Sequence, residues 1–67
     1  MLISELLKIR TKPDMGVVIA NALNNFASFQ GDVTCNDLKT RLENGLKLRW
    51  VGPFYRRRLL RILRNNP

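Results

Sequence analysis

The chain has 67 residues, which limits it to one small domain with a small core and modest stability. With one cysteine and no histidine it cannot form an intrachain disulfide or the common zinc clusters, and no apolar run approaches the roughly 18 residues of a transmembrane helix. The net charge of +7 lies entirely in residues 34–67, where nine Lys and Arg residues stand against two acids, Asp37 and Glu43.

This segregation of charge predicts a polyanionic partner that faces one part of the molecule. Nucleic acid is the first candidate, an anionic membrane the second and an acidic protein the third. The unpaired Cys35 is expected in the core or on a helix and favours a reducing compartment. No cleavage site follows MLISELLKIR, so we expect a cytoplasmic protein without a signal peptide.

The chain is predicted to be a single domain over residues 1–67, with its core in residues 13–64. Residues 1–11 are predicted to form either a short helix or an extended N-terminal arm. Leu2, Leu6 and Ile9 have helical spacing, but Ser4 is poorly placed as a cap.

The second element is an amphipathic helix that begins at Pro13 and ends near Gln30. Pro13 suits a first helical turn because it has no amide hydrogen, and Asp14 adds favourable charge there. Gly31 supplies the left-handed residue that helix ends favour. The apolar stripe predicted to face the core consists of Met15, Val18, Ile19, Ala22, Phe26 and Phe29, with Leu23 beside it.

A third helix is predicted to follow Thr34, whose hydroxyl can accept an amide hydrogen two or three residues further on. Asp37 at the third helical position approximates a capping box. Leu38 and Leu42 then face inward, and the helix ends before Gly45.

Residues 46–50, LKLRW, alternate apolar and basic side chains, which predicts an extended connector with one covered side. On that alternation, Trp50 is expected to pack in the core. Pro53 then opens a last helix that runs to about Arg64.

The last helix is predicted to sort its apolar and basic residues onto opposite faces. Its apolar side consists of Tyr55, Leu59, Ile62 and Leu63, and its basic side of Arg57, Arg61 and Arg64, flanked by Arg58. No acidic residue follows Glu43 in the chain. A guanidinium stripe without counter-charge suits phosphate oxygens, because each guanidinium donates two parallel hydrogen bonds.

From Met15 to Arg64, this order of elements resembles the three-helix core of helix-turn-helix and winged-helix DNA-binding domains. Residues matching the T-x-x-D/E-L-x-x-x-L second helix of that family are Thr34, Asp37, Leu38 and Leu42. The link from Gly45 to Pro53 is longer than the usual turn, and too few residues follow Arg64 for a wing, so the resemblance implies a wingless variant. The predicted fold class is all-α: a small three- to four-helix domain, helix-turn-helix-like, with a short extended connector before the last helix.

The resemblance implies that the last helix enters the DNA major groove, with Arg57 and Arg61 reading guanine edges. The phosphate contacts it implies come from Arg56, Arg58, Arg64, Lys39, Lys47 and Arg49. The predicted function is that of a small basic nucleic-acid-binding protein, a DNA-binding regulator of transcription or of a mobile element. Duplex DNA is the favoured partner.

The main alternative is a small protein–protein interaction module or inhibitor that binds an acidic surface, with Leu60 or Val17 as an apolar anchor. Membrane-surface binding by the basic helix is the third alternative. Homodimerisation stays open. Catalysis, metal binding and cofactor binding are not expected, because the chain has no histidine, no nucleophile beside a base and no glycine-rich phosphate loop.

Overall fold

The computed structural model of the chain describes residues 1–9 and 15–66. Four helices and no strand occur in these residues, which confirms the all-α prediction. The helices are α1 (Ile3–Ile9), α2 (Val17–Gln30), α3 (Cys35–Glu43) and α4 (Pro53–Asn65). Pro13 and Asp14 lie outside the described residues, but the helix predicted to continue from them begins only at Val17, because Gly16 has a non-helical backbone with a φ of +85°. Among the described helices, none has the length and apolar character needed to cross a membrane.

The first segment, for which the sequence leaves a helix and an arm open, is helical. α1 packs against α2, and its Ile3 and Leu6 are completely buried. Leu2 and Ile9 share helical spacing with Leu6 but are exposed. The core therefore includes residues before position 13, on a face of α1 centred on Ile3 and Leu6.

Backbone pairing fixes how α1 is placed against the rest of the chain. Leu2 forms an isolated antiparallel bridge with Thr34. Ile3 N–H donates to the Val33 carbonyl at 3.0 Å, and Cys35 N–H donates to the Met1 carbonyl at 2.7 Å. The first turns of α1 and α3 therefore lie side by side, although they are some thirty residues apart in the chain.

Acidic side chains satisfy the first amides of α1. Glu5 Oε1 accepts a hydrogen bond from Leu2 N–H at 2.7 Å. Asp32 Oδ1 accepts one from Ser4 N–H at 2.9 Å, and Asp32 Oδ2 accepts one from the Ser4 hydroxyl. Asp32 thus caps a helix that begins 29 residues before it, and these hydrogen bonds lower the pKa of its carboxyl.

α3 begins as the sequence predicts. Thr34 is its N-cap, and the Thr34 hydroxyl accepts a hydrogen bond from Asp37 N–H at 3.0 Å. Leu38 and Leu42 are buried, which confirms their inward orientation. Cys35 is also buried, and desolvation raises the pKa of its thiol. The thiol therefore stays protonated at neutral pH and serves as a small core side chain.

The remaining core comes mainly from α2 and α4. Its buried side chains there are Ile19, Ala22, Leu23, Phe26, Leu59 and Leu63, joined by Met15 just before α2. Phe29 was expected on the same stripe, but it is 83% exposed and that expectation is wrong. The reason is its position one residue from the end of α2, after which Gly31 (φ +99°) turns the chain away.

The stability of the fold should depend on the ionisation of Asp32. Because the hydrogen bonds from Ser4 hold its folded-state pKa below the ordinary value of about 3.9, its contribution is present above that pH and is lost as pH falls further. We expect Asp32→Asn to lower the melting temperature at pH 7 and to have progressively less effect below about pH 4. Thermal unfolding followed by circular dichroism, at pH 7 and at pH 3, measures the melting temperatures of the wild type and the variant.

The control for this prediction is the same substitution in a Ser4→Ala background. The pH-dependent difference should become smaller there, because the Ser4 hydroxyl makes the largest contribution to the lowered pKa, while the hydrogen bond from Ser4 N–H remains. An Asp32→Asn effect that is unchanged between pH 7 and pH 3 would contradict the capping role.

Candidate nucleic-acid interface

α4 is held to the domain by its apolar side. Leu59 and Leu63 are completely buried, and Tyr55, Leu60 and Ile62 pack partly against the core. The helix contacts both α3 and α2. Since these residues occupy one side of the helix, the opposite side faces solvent, as the sequence predicts.

The solvent-facing side of α4 presents Arg57, Arg58 and Arg61, which we call the arginine face. All three side chains are exposed. Within the described residues, no carboxylate forms an ion pair with any of them. Arg58 extends over the start of α2, where its Nη1 lies 3.7 Å from the position that a Cβ would occupy at Gly16. Within the part of the chain that the structure describes, the face therefore combines dense positive charge with unused hydrogen-bond donors.

Phe54 lies one turn before Arg57 and Arg58 and is 77% exposed. Its ring meets that of Tyr55 edge-on, with 5.7 Å between the centroids and 88° between the planes. An apolar ring at the end of a basic face can contact a thymine methyl group or a sugar.

Arg64, predicted on the same stripe, has a counter-charge that the sequence analysis did not expect. Its Nη2 lies 3.3 Å from Glu43 Oε2 at the end of α3. The prediction of a stripe without internal counter-charge is therefore corrected at this position. Both side chains are about half exposed, and such surface pairs are typically worth 0–1 kcal/mol. Arg64 can accordingly exchange Glu43 for a phosphate at small cost.

Arg56, predicted as a phosphate contact, instead serves the packing of α4 on α3. It is half-buried, and its Nη2 donates a hydrogen bond to the backbone carbonyl of Leu42. This carbonyl belongs to the last turn of α3, where carbonyls have no partner within the helix. The Arg56 Nε is also buried, so this side chain contributes to packing and is less available to a ligand than its exposed neighbours.

The remaining predicted cations do not belong to the arginine face. Lys39 lies half-buried on α3, whereas Lys47 and Arg49 lie exposed on the connector, residues 44–52. The Arg49 guanidinium carbon stacks 4.8 Å from the centroid of the Trp50 ring. Arg41, which the sequence analysis did not single out, pairs with Asp37 at 3.1 Å one turn earlier on α3.

The connector follows its predicted alternation only as far as residue 49. Leu46 and Leu48 are half-buried, but Trp50 is 72% exposed, so the prediction that it packs in the core is wrong. The cause is a turn in which Val51 N–H donates to the Leu48 carbonyl at 3.2 Å and Trp50 adopts a φ of +70°. A positive φ is unfavourable for a bulky residue and directs the indole away from the covered side.

This turn opens a groove of about 420 Å³ between the C-terminal half of α2 and the connector. Exposed aromatic rings line it from both elements, Phe29 from α2 and Trp50 from the connector. Its other lining residues are Ala22, Asn25, Phe26, Gln30, Arg41, Leu46, Lys47, Leu48 and Arg49. Neither aromatic was predicted here, because helical and alternating periodicity assigned both to the core.

No protein-family model, curated protein or solved structure matches the chain. The resemblance to helix-turn-helix domains therefore stays a prediction from the sequence. In the described part of the chain, no group of three or more His, Cys, Asp or Glu side chains could hold a metal ion. The arginine face and the groove are therefore the two candidate binding surfaces of the described residues.

Arg56 and Arg57 should differ in their effect on stability, although they are adjacent and identical in charge. We expect Arg56→Met to lower the free energy of unfolding by about 1 kcal/mol, because the Leu42 carbonyl loses a charged donor but keeps the hydrogen bond from Gly45 N–H at 3.2 Å. Arg57→Met is the matched control and should stay within about 0.5 kcal/mol of the wild type. Urea denaturation measures the free energy of unfolding of each variant. Equal losses in the two variants would contradict the structural role of Arg56.

The positive φ of Trp50 gives a second prediction about stability. Trp50→Ala and Trp50→Gly both remove the indole and its contact with Arg49, so they differ mainly in backbone preference. We expect the glycine variant to be more stable by about 0.5–1 kcal/mol, because glycine adopts positive φ without steric cost, partly offset by its greater unfolded-state entropy. A more stable alanine variant in urea denaturation would show that this conformation is not strained.

Proposed function

We propose that the protein binds nucleic acid through the arginine face, with duplex DNA as the favoured partner. The observation that carries the proposal is the presence of Arg57, Arg58 and Arg61 on the exposed side of a well-packed helix, without a carboxylate partner in the described residues. Phosphate oxygens match this surface in charge and in hydrogen-bonding geometry. The net charge of +7 would further speed encounter with a polyanion.

The packing of α4 also argues against the membrane alternative. A helix that lies on a bilayer buries its apolar side among the lipids. In this protein Leu59 and Leu63 are completely buried in the domain core, so that side is already covered. The exposed side offers lipids mainly guanidinium groups and Phe54.

Within the proposed interface the arginines have different roles. Arg57 and Arg61 lie one turn apart, about 6 Å along the helix axis, and are the candidates for guanine edges in the major groove. Arg58 at the side of the face, and Arg64 after release from Glu43, would bind phosphates. A small module with these contacts and no evident catalytic constellation fits a regulator of transcription or of a mobile element.

Fluorescence anisotropy with labelled duplex DNA of mixed sequence tests the proposal. If three cations contact phosphates, the affinity should fall by about 1.6 decades between 50 and 200 mM salt. Participation of about six cations would raise this loss to about three decades. The salt dependence therefore counts the contacts, and no measurable affinity at about 50 mM salt would overturn the proposal.

Substitutions locate the interface. Arg58→Ala should reduce the magnitude of the salt slope by about one and weaken binding to all sequences alike. Arg57→Ala and Arg61→Ala should instead weaken binding mainly to preferred sequences and relax sequence preference, because they remove base contacts. The control is Lys8→Ala, which removes one positive charge from an exposed position on α1, outside the arginine face. If Lys8→Ala weakens binding as much as Arg58→Ala does, general charge and not the arginine face would be responsible.

A further inference from the structure

We propose that the groove between α2 and the connector is a docking site for a protein partner. The occupant we infer is an acidic peptide segment with an aromatic or aliphatic anchor residue. Phe29 and Trp50 are among the most exposed large apolar side chains of the described residues, and both line this one groove. Aromatic side chains gathered at a concave surface are typical of binding sites.

The position of Trp50 is fixed by features that folding alone does not require. Its backbone has a φ of +70°, which is unfavourable for a residue with a Cβ, and its side chain gains little burial in return. The Arg49 guanidinium stacks on the ring at 4.8 Å and supports the indole at the edge of the groove. Unfavourable backbone geometry that keeps an aromatic ring in solvent points to a binding role.

The lining of the groove defines the chemistry of the occupant. Ala22, Phe26 and the two connector leucines provide an apolar floor that fits one apolar side chain. Asn25 and Gln30 carry carboxamides, which can donate to and accept from a peptide backbone. The cations of the lining are Lys47, Arg49 and Arg41, of which Arg41 is paired with Asp37 at 3.1 Å, and no acidic residue is among the lining residues. Carboxylates on either side of the anchor would complement this charge.

Two other occupants fit these observations less well. A second copy of the chain would bring another net charge of +7 against a basic rim, which opposes self-association. An unpaired nucleobase could stack on only one face of Trp50, because Arg49 covers the other. The concave apolar floor also favours a compact side chain over a flat base.

The groove is separate from the arginine face. Arg58 lies beside Gly16 at the start of α2, whereas Phe29 lies 13 residues further on, about 20 Å along the helix axis. A peptide and a nucleic acid could therefore be bound together. The inference does not depend on the proposed function, because none of the residues of the arginine face lines the groove.

Trp50 is the only tryptophan of the chain, so its fluorescence reports directly on the groove. The probes are short synthetic peptides in which a central Phe or Leu is flanked by Asp and Glu. We expect a saturable blue shift of the emission, and replacement of the central residue by Ala should weaken binding at least about tenfold. Phe29→Ser should cause a similar loss without unfolding the domain, since that ring is exposed.

Charge variants provide the matched comparison. Lys47→Glu should weaken peptide binding at least about tenfold, whereas Arg61→Glu, with the same change of charge outside the groove, should alter it less than about twofold. In the DNA anisotropy assay, Arg61→Glu should weaken binding more than Lys47→Glu does. Phe29→Ser should bind DNA with close to wild-type affinity. These two assays therefore separate failure of the groove from failure of the arginine face.

Three results would overturn the inference. The first is the absence of a saturable emission change with every peptide up to about 1 mM. The second is a blue shift or quenching with oligothymidylate but not with the peptides, which would make the groove a base-stacking site. The third is a protein dimer in sedimentation that Trp50→Ser dissolves, which would make the groove an interface between copies of the chain.

Discussion

The burial of Leu59 and Leu63 is the contact on which the functional surfaces of this protein depend. Each buried leucine contributes about 1.5–3 kcal/mol, whereas a like-charge pair on a helix costs only a few tenths of a kcal/mol. Packing therefore outweighs repulsion between the arginines and sets the rotation of α4 about its axis. Arg57 and Arg61 are exposed because the leucines on the other side are not. Loss of this packing would remove the arginine face along with the helix.

The same rotation gives chemically identical side chains different roles. Arg56 lies at the edge of the buried side and donates a hydrogen bond to the Leu42 carbonyl, so it contributes to the α3–α4 contact. Arg64 lies near Glu43, in an exposed pair that salt or a phosphate can replace. Arg58, in contrast, has no carboxylate partner in the described residues. Position relative to α3, and not residue type, decides which guanidinium groups are free for a ligand.

α2 connects two surfaces of different chemistry. Its start lies beside Arg58, and its last turns form one side of the groove with Phe29. A continuous helix holds these surfaces at a fixed separation, because its hydrogen-bonded backbone resists bending. The connector completes the groove through the strained turn at Trp50. The two proposals together, a nucleic acid on the arginine face and an acidic peptide in the groove, describe a small adaptor.

Local chemistry allowed most of the fold to be predicted: three helices, the cap at Thr34 and the inward leucines of α3 and α4. Helical periodicity and capping involve residues within one turn of each other, so both can be recognised in the sequence. The exposure of Phe29 and Trp50 and the hydrogen bond from Arg56 to α3 depend instead on how the elements pack. Periodicity assigns a residue to a side of its element, but burial requires a neighbouring element on that side. Where α2 ends and the connector turns, no element among the described residues covers Phe29 and Trp50, and the groove is formed there.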